Sequence, residues 1–224
     1  MCNLYNATTT FEAMRQLFLP IHDLTNRLTP QMDIYPDNHA PIGRKNADGE
    51  RELALARWGM PTPPMYLKGE VDNGVTNIRN PKSPHWRAWL KPANRCVVPA
   101  TSFAEYGQHP DPVTKKKPLH WFALNEDKPL FWFAGLWTSW YSTRKKKEGP
   151  VQADIFAFLT TNANGIVKPI HHQAMPVILT TAQEIDVWMN APGEEALKLQ
   201  RPLPDDGLIV LPQPKAEEEE PLLI

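Results

Sequence analysis

Short apolar runs, separated by prolines and turn-forming residues, dominate the middle of this chain. Runs of about four to eight residues predict β-strands, because a buried helix needs a longer periodic segment. The clearest run covers residues 95–100, ends near a proline and is typical of a buried strand. The same pattern predicts strands over residues 50–58, 119–124, 130–137, 154–161 and 176–179, with a turn over 125–129.

Helical periodicity is confined to the two ends of the chain. Over residues 8–19 apolar side chains recur three or four positions apart, and Pro20 ends the pattern. Two further helices are predicted, one after the threonine pair 180–181 and extending to residue 188, the other over residues 193–200. The whole pattern predicts an α+β fold with a mainly antiparallel, barrel-like β core and peripheral helices.

No internal repeat or clean boundary interrupts the 224 residues, so we predict a single domain over residues 1–211. The 24 prolines are spread along the chain, which favours many ordered turns. Residues 30–64 hold several prolines and turn-forming residues, which interrupt helices and strands, and are predicted to be mostly loop, apart from the strand at 50–58. Residues 212–224 include four consecutive glutamates and are predicted to be a disordered acidic tail.

Charge and cysteine content narrow the classes of function. The formal net charge is −1, so any nucleic-acid site must be local. Cys2 and Cys96 form no disulfide framework, and reduced thiols favour a cytoplasmic location. No apolar run is long enough to span a membrane, and the N-terminus lacks the features of a signal peptide. No clear set of metal ligands appears, so we expect no metal or cofactor. We also expect a monomer.

The Met1–Cys2 start carries the most distinctive chemistry. Removal of Met1 would leave a cysteine with a free α-amine beside its thiol, and both pKa values lie close enough to neutrality for part of each group to be nucleophilic. Such an aminothiol condenses with an aldehyde and closes a five-membered thiazolidine ring. Alternatively, Cys2 is an incidental residue at the end of the chain.

Three later segments hold candidate catalytic side chains. Asn77 offers a hydrogen-bond donor and an acceptor, and Arg79, two residues on, would share its side of an extended segment and could hold a phosphate. Glu105 follows a buried strand among apolar residues, an environment that raises a carboxyl pKa and suits proton transfer. The simpler interpretations are an ordinary loop around Asn77 and a salt bridge at Glu105.

The third segment contains adjacent histidines, of which an extended chain would direct only one toward a site. Histidine is the side chain best suited to acid–base chemistry near neutral pH, although a lone histidine is often structural. Trp58 could stack on a nucleotide base or belong to the core. The basic runs 115–117 and 144–147 are interpreted as solvated hairpin ends.

Taken in chain order, these pieces resemble the SRAP family, the SOS-response-associated peptidases that act as abasic-site sensors. The resemblance covers residues 1–188. It rests on five motifs: Met1–Cys2, Thr76-Asn77-Ile78-Arg79, the Cys96–Tyr106 segment with Phe103-Ala104-Glu105-Tyr106, Phe133-Ala134-Gly135-Leu136-Trp137, and Ile170-His171 leading to Met175-Pro176-Val177-Ile178-Leu179.

The resemblance implies that the protein removes its own Met1 and that Cys2 then forms a thiazolidine cross-link with an abasic site in single-stranded DNA. It implies that Asn77 orients the Cys2 amine, that Glu105 moves protons and that His171 helps to open the sugar ring. The spacing from Thr160 and the preceding isoleucine select His171 over His172. The implied DNA contacts are Arg79, Trp58, Thr160, Asn38 and Pro41.

The chain also departs from the family pattern. Asn3-Leu4 stands where the family has Gly-Arg, and Ala174 replaces an arginine. Two cationic contacts are therefore missing, and we expect DNA binding to depend less steeply on salt.

Two other functions remain open. An N-terminal-nucleophile glutamine amidohydrolase would use Cys2 as a thiolate, although the chain shows no Gly-rich oxyanion loop and no partner synthase domain. A non-catalytic single-stranded-DNA-binding module would tolerate Cys2→Ser without loss.

Overall fold

The computed structural model describes residues 2–9, 11–18, 22–23 and 30–212. The helices within these residues are α1 (Phe11–Phe18), α2 (Ala182–Asn190) and α3 (Gly193–Ala196). The strands are β1 (Tyr5–Ala7), β2 (His22–Asp23), β3 (Gln31–Ile34), β4 (His39–Lys45), β5 (Arg51–Trp58), β6 (Asn77–Ile78), β7 (Arg95–Ala100), β8 (Ser102–Tyr106), β9 (Leu119–Ala123), β10 (Phe131–Thr143), β11 (Pro150–Thr161), β12 (Met175–Pro176), β13 (Ile178–Leu179) and β14 (Ile209–Val210).

Five strands close on themselves in the order β5-β4-β7-β10-β11 and form a barrel. Four of the five junctions are antiparallel, and the closing junction pairs β11 with β5 in parallel, with Phe156 opposite Trp58. The short strand β6 adds to β11 beside this junction, with Asn77 opposite Phe158. The predicted α+β fold with a mainly antiparallel, barrel-like core is confirmed.

A second sheet, in the order β14-β9-β8-β1-β3, carries the beginning of the chain. Tyr5 of β1 pairs with Phe103 of β8, and Ala104 donates its backbone N–H to the Leu4 carbonyl at 2.9 Å. Because β8 continues from Ala104 to Glu105, this pairing brings residue 2 close to the Glu105 carboxyl group.

Alternate residues of the barrel strands belong to two separate cores, as the period of two in a β-strand requires. One set packs with the second sheet around Tyr5, and consists of Ala40, Ile42, Ala56, Trp58, Cys96, Val98, Ala100, Phe131, Phe133, Phe156 and Phe158. The other set packs under α1 and α2, and consists of Leu53, Val97, Trp132, Ala134, Leu136, Ile155, Ala157 and Leu159.

The helices are held close to the barrel. A Cβ atom on Gly43 would lie 2.7 Å from the Phe18 ring and 2.9 Å from Val97 Cγ2, so only glycine allows α1 to approach β4 this closely. Thr181 caps α2 by accepting the Glu184 N–H at 3.1 Å. At the other end of α2, the buried Arg95 guanidinium donates to the carbonyls of Trp188 and Ala191.

Several predicted elements were right and others need correction. The strand at Arg95–Ala100 and the helices after residues 8 and 181 are confirmed. The prediction that residues 30–64 are mostly loop was wrong, because β3 and β4 lie there in addition to β5. Strands β10 and β11 extend beyond their predicted limits as one long hairpin. The predicted acidic tail lies, after Pro212, outside the described residues.

Candidate functional site

Cys2 is fully buried at the junction of the barrel and the second sheet. Its Sγ atom contacts the Leu4 carbonyl oxygen at 3.5 Å. Burial, reinforced by the nearby Glu105 charge, raises the pKa of the Cys2 thiol far above its usual range. The thiol therefore needs an adjacent base before it can react as a thiolate.

Asn77 holds the backbone of residue 2. Strand β6 runs beside β11 and directs this buried carboxamide toward the N-terminal segment, where Asn77 Nδ2 donates to the Cys2 carbonyl oxygen at 2.8 Å. The same nitrogen donates to Thr76 Oγ1 at 2.9 Å. The contact with Cys2 joins residues 75 positions apart in the chain and fixes residue 2 relative to the barrel.

Glu105 and His171 form a second pair of candidate side chains. Glu105 is buried, and this burial raises its pKa to about 7. His171 Nδ1 lies 3.7 Å from Glu105 Oε2, whereas the neighbouring His172 is exposed. Burial, with the charges of His172 and Lys117, lowers the pKa of His171 to about 4. At neutral pH the site thus combines a neutral imidazole with a carboxyl group that readily gains or loses a proton.

A cleft of about 170 Å³ leads to Glu105 from the surface. It is lined by Asn3, Leu4, Tyr35, Pro36, Ala104, Glu105, Tyr106 and Leu119. Tyr35 and Tyr106 are about half exposed at its rim, where an aromatic face could stack on a base. The sequence analysis assigned neither tyrosine a role. The available signal was that Tyr106 directly follows Glu105 in a strand, so their side chains point to opposite faces.

The predicted DNA contacts fall into two groups. Arg79 and Asn38 are exposed: Arg79 donates to Asn162 Oδ1, and Asn38 Oδ1 accepts the Tyr35 N–H at 2.9 Å. Thr160 and Pro41 are buried in β11 and β4. The second pair can shape the site from beneath but does not present a surface to DNA.

Trp58 requires a correction. The indole is fully buried, stacks on Phe158 at a centroid distance of 5.1 Å and donates Nε1–H to the Thr76 carbonyl at 3.0 Å. It cannot stack on a nucleotide base in this structure. Its position at the barrel closure supports the Thr76–Asn77 segment instead.

The interpretation of the run 144–147 as a solvated hairpin end was wrong for Arg144, which is buried. Arg144 donates to the Gly59 carbonyl at 3.0 Å and approaches Asp37 Oδ1 at 3.3 Å. Asp37 also accepts hydrogen bonds from Arg57. Burial opposes ionisation of Asp37, but Arg57 and Lys145 prevail and lower its pKa to about 2. This cluster anchors the turn that carries Tyr35 and Pro36 to the cleft.

Replacing Arg144 with methionine should lower the free energy of unfolding by on the order of 3 kcal/mol, because buried acceptors lose their donor. Urea unfolding followed by circular dichroism measures the change. The control is Lys146→Met on the exposed part of the same run, which should change stability by less than about 0.5 kcal/mol. Equal stabilities of the two variants would contradict the anchoring role.

Among the described residues, no group of three or more histidine, cysteine, aspartate or glutamate side chains could hold a metal ion. Likewise, no helix in the described ranges is long and apolar enough to cross a membrane.

Solved structures share this fold. Two are crystal structures from Bordetella bronchiseptica and Bacteroides thetaiotaomicron. The first has a TM-score of 0.68 at 24% identity and covers 95% of this chain and 100% of its own. The second has a TM-score of 0.71 at 21% identity and covers 93% of this chain and 90% of its own. A phage-related protein from Bordetella bronchiseptica has a TM-score of 0.67 at 19% identity, with 95% of each chain covered. No curated protein matches the chain.

The fold and the site define a β-barrel protein whose candidate site is built around the cysteine at position 2. The protein-family model described as "SOS response associated peptidase (SRAP)" matches residues 1–216. The chain belongs to the SRAP family.

Proposed function

We propose that this protein removes its own Met1 and then forms a covalent thiazolidine cross-link between Cys2 and abasic sites in single-stranded DNA. The observation that carries the proposal is the convergence of an amide and a carboxyl group on residue 2, with an imidazole beside the carboxyl group. Asn77 reaches the Cys2 carbonyl at 2.8 Å, and His171 lies 3.7 Å from Glu105, whose charge acts on the Cys2 thiol.

The first step is hydrolysis of the Met1–Cys2 peptide bond. It consumes one water molecule and yields free methionine and the Cys2 amine. Glu105 is suited to accept a proton in this step, because its pKa of about 7 leaves a large ionised fraction at neutral pH. The contact from Asn77 keeps the peptide in one orientation while the bond is broken.

The second step joins the protein to DNA. The Cys2 amine adds to the C1′ aldehyde of the ring-opened sugar and loses water to form an imine. The Cys2 thiol then adds across the C=N bond, its proton passes to nitrogen, and the thiazolidine ring closes without any oxidant or reductant. The neutral imidazole of His171 is suited to accept the C1′ hydroxyl proton as the sugar ring opens.

The test incubates the mature protein with a single-stranded oligonucleotide that carries one abasic site. We expect a band of higher mass on a denaturing gel, with an intact mass equal to protein plus oligonucleotide minus one water. A matched oligonucleotide with a tetrahydrofuran analogue has no aldehyde and should give no band. Absence of the band with the true abasic site, or an equal band with the analogue, would contradict the proposal.

A further inference from the structure

The side chains of Asn3, Thr76 and Asn77 form a continuous hydrogen-bonded chain beside Cys2. Asn77 Nδ2 donates to Thr76 Oγ1 at 2.9 Å, and Thr76 Oγ1 donates to Asn3 Oδ1 at 3.1 Å. A longer contact of 3.4 Å joins Asn77 Nδ2 to Asn3 Oδ1 directly. The catalytic proposal above assigns no role to Asn3 or to the Thr76 hydroxyl.

These hydrogen bonds determine the orientation of the Asn77 carboxamide. An amide nitrogen carries two hydrogens, and here one is directed to the Cys2 carbonyl and the other to Thr76 Oγ1. Because the carboxamide is planar, fixing both hydrogens also fixes the direction of Asn77 Oδ1. That oxygen is buried and has no hydrogen-bond partner among the residues that the structure describes.

A buried acceptor without a donor is costly, so its retention at this position calls for a reason. The amine released by removal of Met1 is a new donor on residue 2, the residue that the same carboxamide already holds. An amide that rotated by half a turn would present a donor in place of this acceptor. Both hydrogen bonds of Asn77 Nδ2 oppose such rotation, and the bond to Thr76 Oγ1 is the one of the two that does not depend on residue 2.

We propose that Thr76 and Asn3 are positioning residues, which lock the Asn77 carboxamide in the orientation that presents Oδ1 to the Cys2 amine. This inference rests on the proposed function and adds two residues to it. The hydroxyl of Thr76 gives up its own hydrogen to Asn3 Oδ1, so it can act only as an acceptor toward Asn77. The Asn3 side chain therefore sets the donor-to-acceptor direction of both hydrogen bonds in this series.

Thr76→Val removes the hydroxyl and keeps the shape, whereas Thr76→Ser keeps the hydroxyl. At saturating abasic oligonucleotide, we expect Thr76→Val to slow adduct formation about three- to tenfold, the effect of one hydrogen bond, and Thr76→Ser to stay within about twofold of the wild type. The dissociation constant for the unreactive tetrahydrofuran oligonucleotide should be unchanged in both. A merely structural role, or loss of a DNA contact, would weaken that binding.

Asn3→Ala should slow the reaction as much as Thr76→Val, and the double variant should be no slower than either single variant. Equal rates for Thr76→Val and the wild type, equally slow valine and serine variants, or multiplicative effects in the double variant would each overturn the proposal.

A second readout does not depend on DNA chemistry. In ¹⁵N NMR spectra, the Asn77 side-chain NH₂ signals should be protected from exchange with water in the wild type and in Thr76→Ser, and should lose protection in Thr76→Val. If the wild type forms no adduct, the proposed function fails while this measurement still decides the positioning role. Unchanged protection in Thr76→Val would reject it.

Discussion

We expect that neither Cys2→Ala nor Cys2→Ser forms an adduct with abasic DNA that survives denaturation, because each variant can form only an imine. Alanine retains the amine, so its imine with the abasic aldehyde cannot close a ring and hydrolyses on denaturation. A serine hydroxyl is a much weaker nucleophile than a thiol and gives no stable ring. We therefore expect no gel-stable band from either variant, and a band from both when borohydride is added to reduce the imine.

The matched control for this experiment is Cys96→Ala. Cys96 is the second cysteine of the chain and is fully buried in the same core as Cys2, but the proposed chemistry assigns it no role. The variant should cross-link as the wild type does. Intact mass must first verify that Met1 is absent from each preparation. A wild-type amount of stable adduct from Cys2→Ala, without borohydride, would rule out the thiazolidine.

Glu105→Gln should slow the removal of Met1 by about 10²- to 10⁴-fold, the usual contribution of a positioned proton-transfer group. Glutamine keeps the size of the side chain but cannot accept a proton. In the wild type, the rate should rise from about pH 6 to pH 8, because the carboxylate form becomes dominant as the pH passes the Glu105 pKa of about 7. Mass spectrometry of protein made by cell-free synthesis without aminopeptidase measures the rate.

The same variant should be more stable than the wild type at high pH. Burial raises the Glu105 pKa from 4.5 to about 7, so the folded state binds a proton more tightly than the unfolded state. Below pH 4.5 the carboxyl group is neutral in both states, and above pH 7 the folded state bears the cost of a buried charge. The free energy of unfolding of the wild type thus decreases as the pH rises between these two values, whereas that of Glu105→Gln does not.

The stability difference should grow from near zero at pH 4.5 to about 3 kcal/mol at pH 8. Urea unfolding at the two pH values measures it. Glu126→Gln, at an exposed glutamate, is the control and should change neither the processing rate nor the stability. A wild-type rate of Met1 removal in Glu105→Gln would transfer the proton-accepting role to another group. An equal stability of the two proteins at pH 8 would contradict the burial of an ionised carboxylate.

The two proposed effects of Glu105 have one cause. The burial that raises its pKa makes the carboxyl group useful for proton transfer near pH 7 and, at the same time, makes its ionised form unfavourable to folding. A site of this kind is expected to reduce stability in exchange for reactivity.

Some elements were predictable because local pattern and tertiary environment agree. The strand Arg95–Ala100 is buried on both faces, and its largely apolar run has no competing local interpretation. The helix after Thr181 begins with a capping side chain three residues before its hydrogen-bond donor, which is a short-range signal.

Strand β4 was missed because proline and glycine normally interrupt a strand. Pro41 is tolerated there because β4 pairs along its length with β5 but with β7 only at Gly43. Gly43 itself is required by the closeness of Phe18. Neither reason is visible in local sequence, since both depend on which elements become neighbours.

The sequence by itself determined the fold class, the family and the residue types of the site, because strand periodicity is local and the motifs occur in a specific order. Only the tertiary structure decided which of those residues meet. It buried Trp58 and Arg144, brought His171 rather than His172 to Glu105, and joined Asn77 to Cys2 across 75 positions. The physical reason is that these contacts arise from barrel closure and sheet pairing, which depend on the whole chain at once.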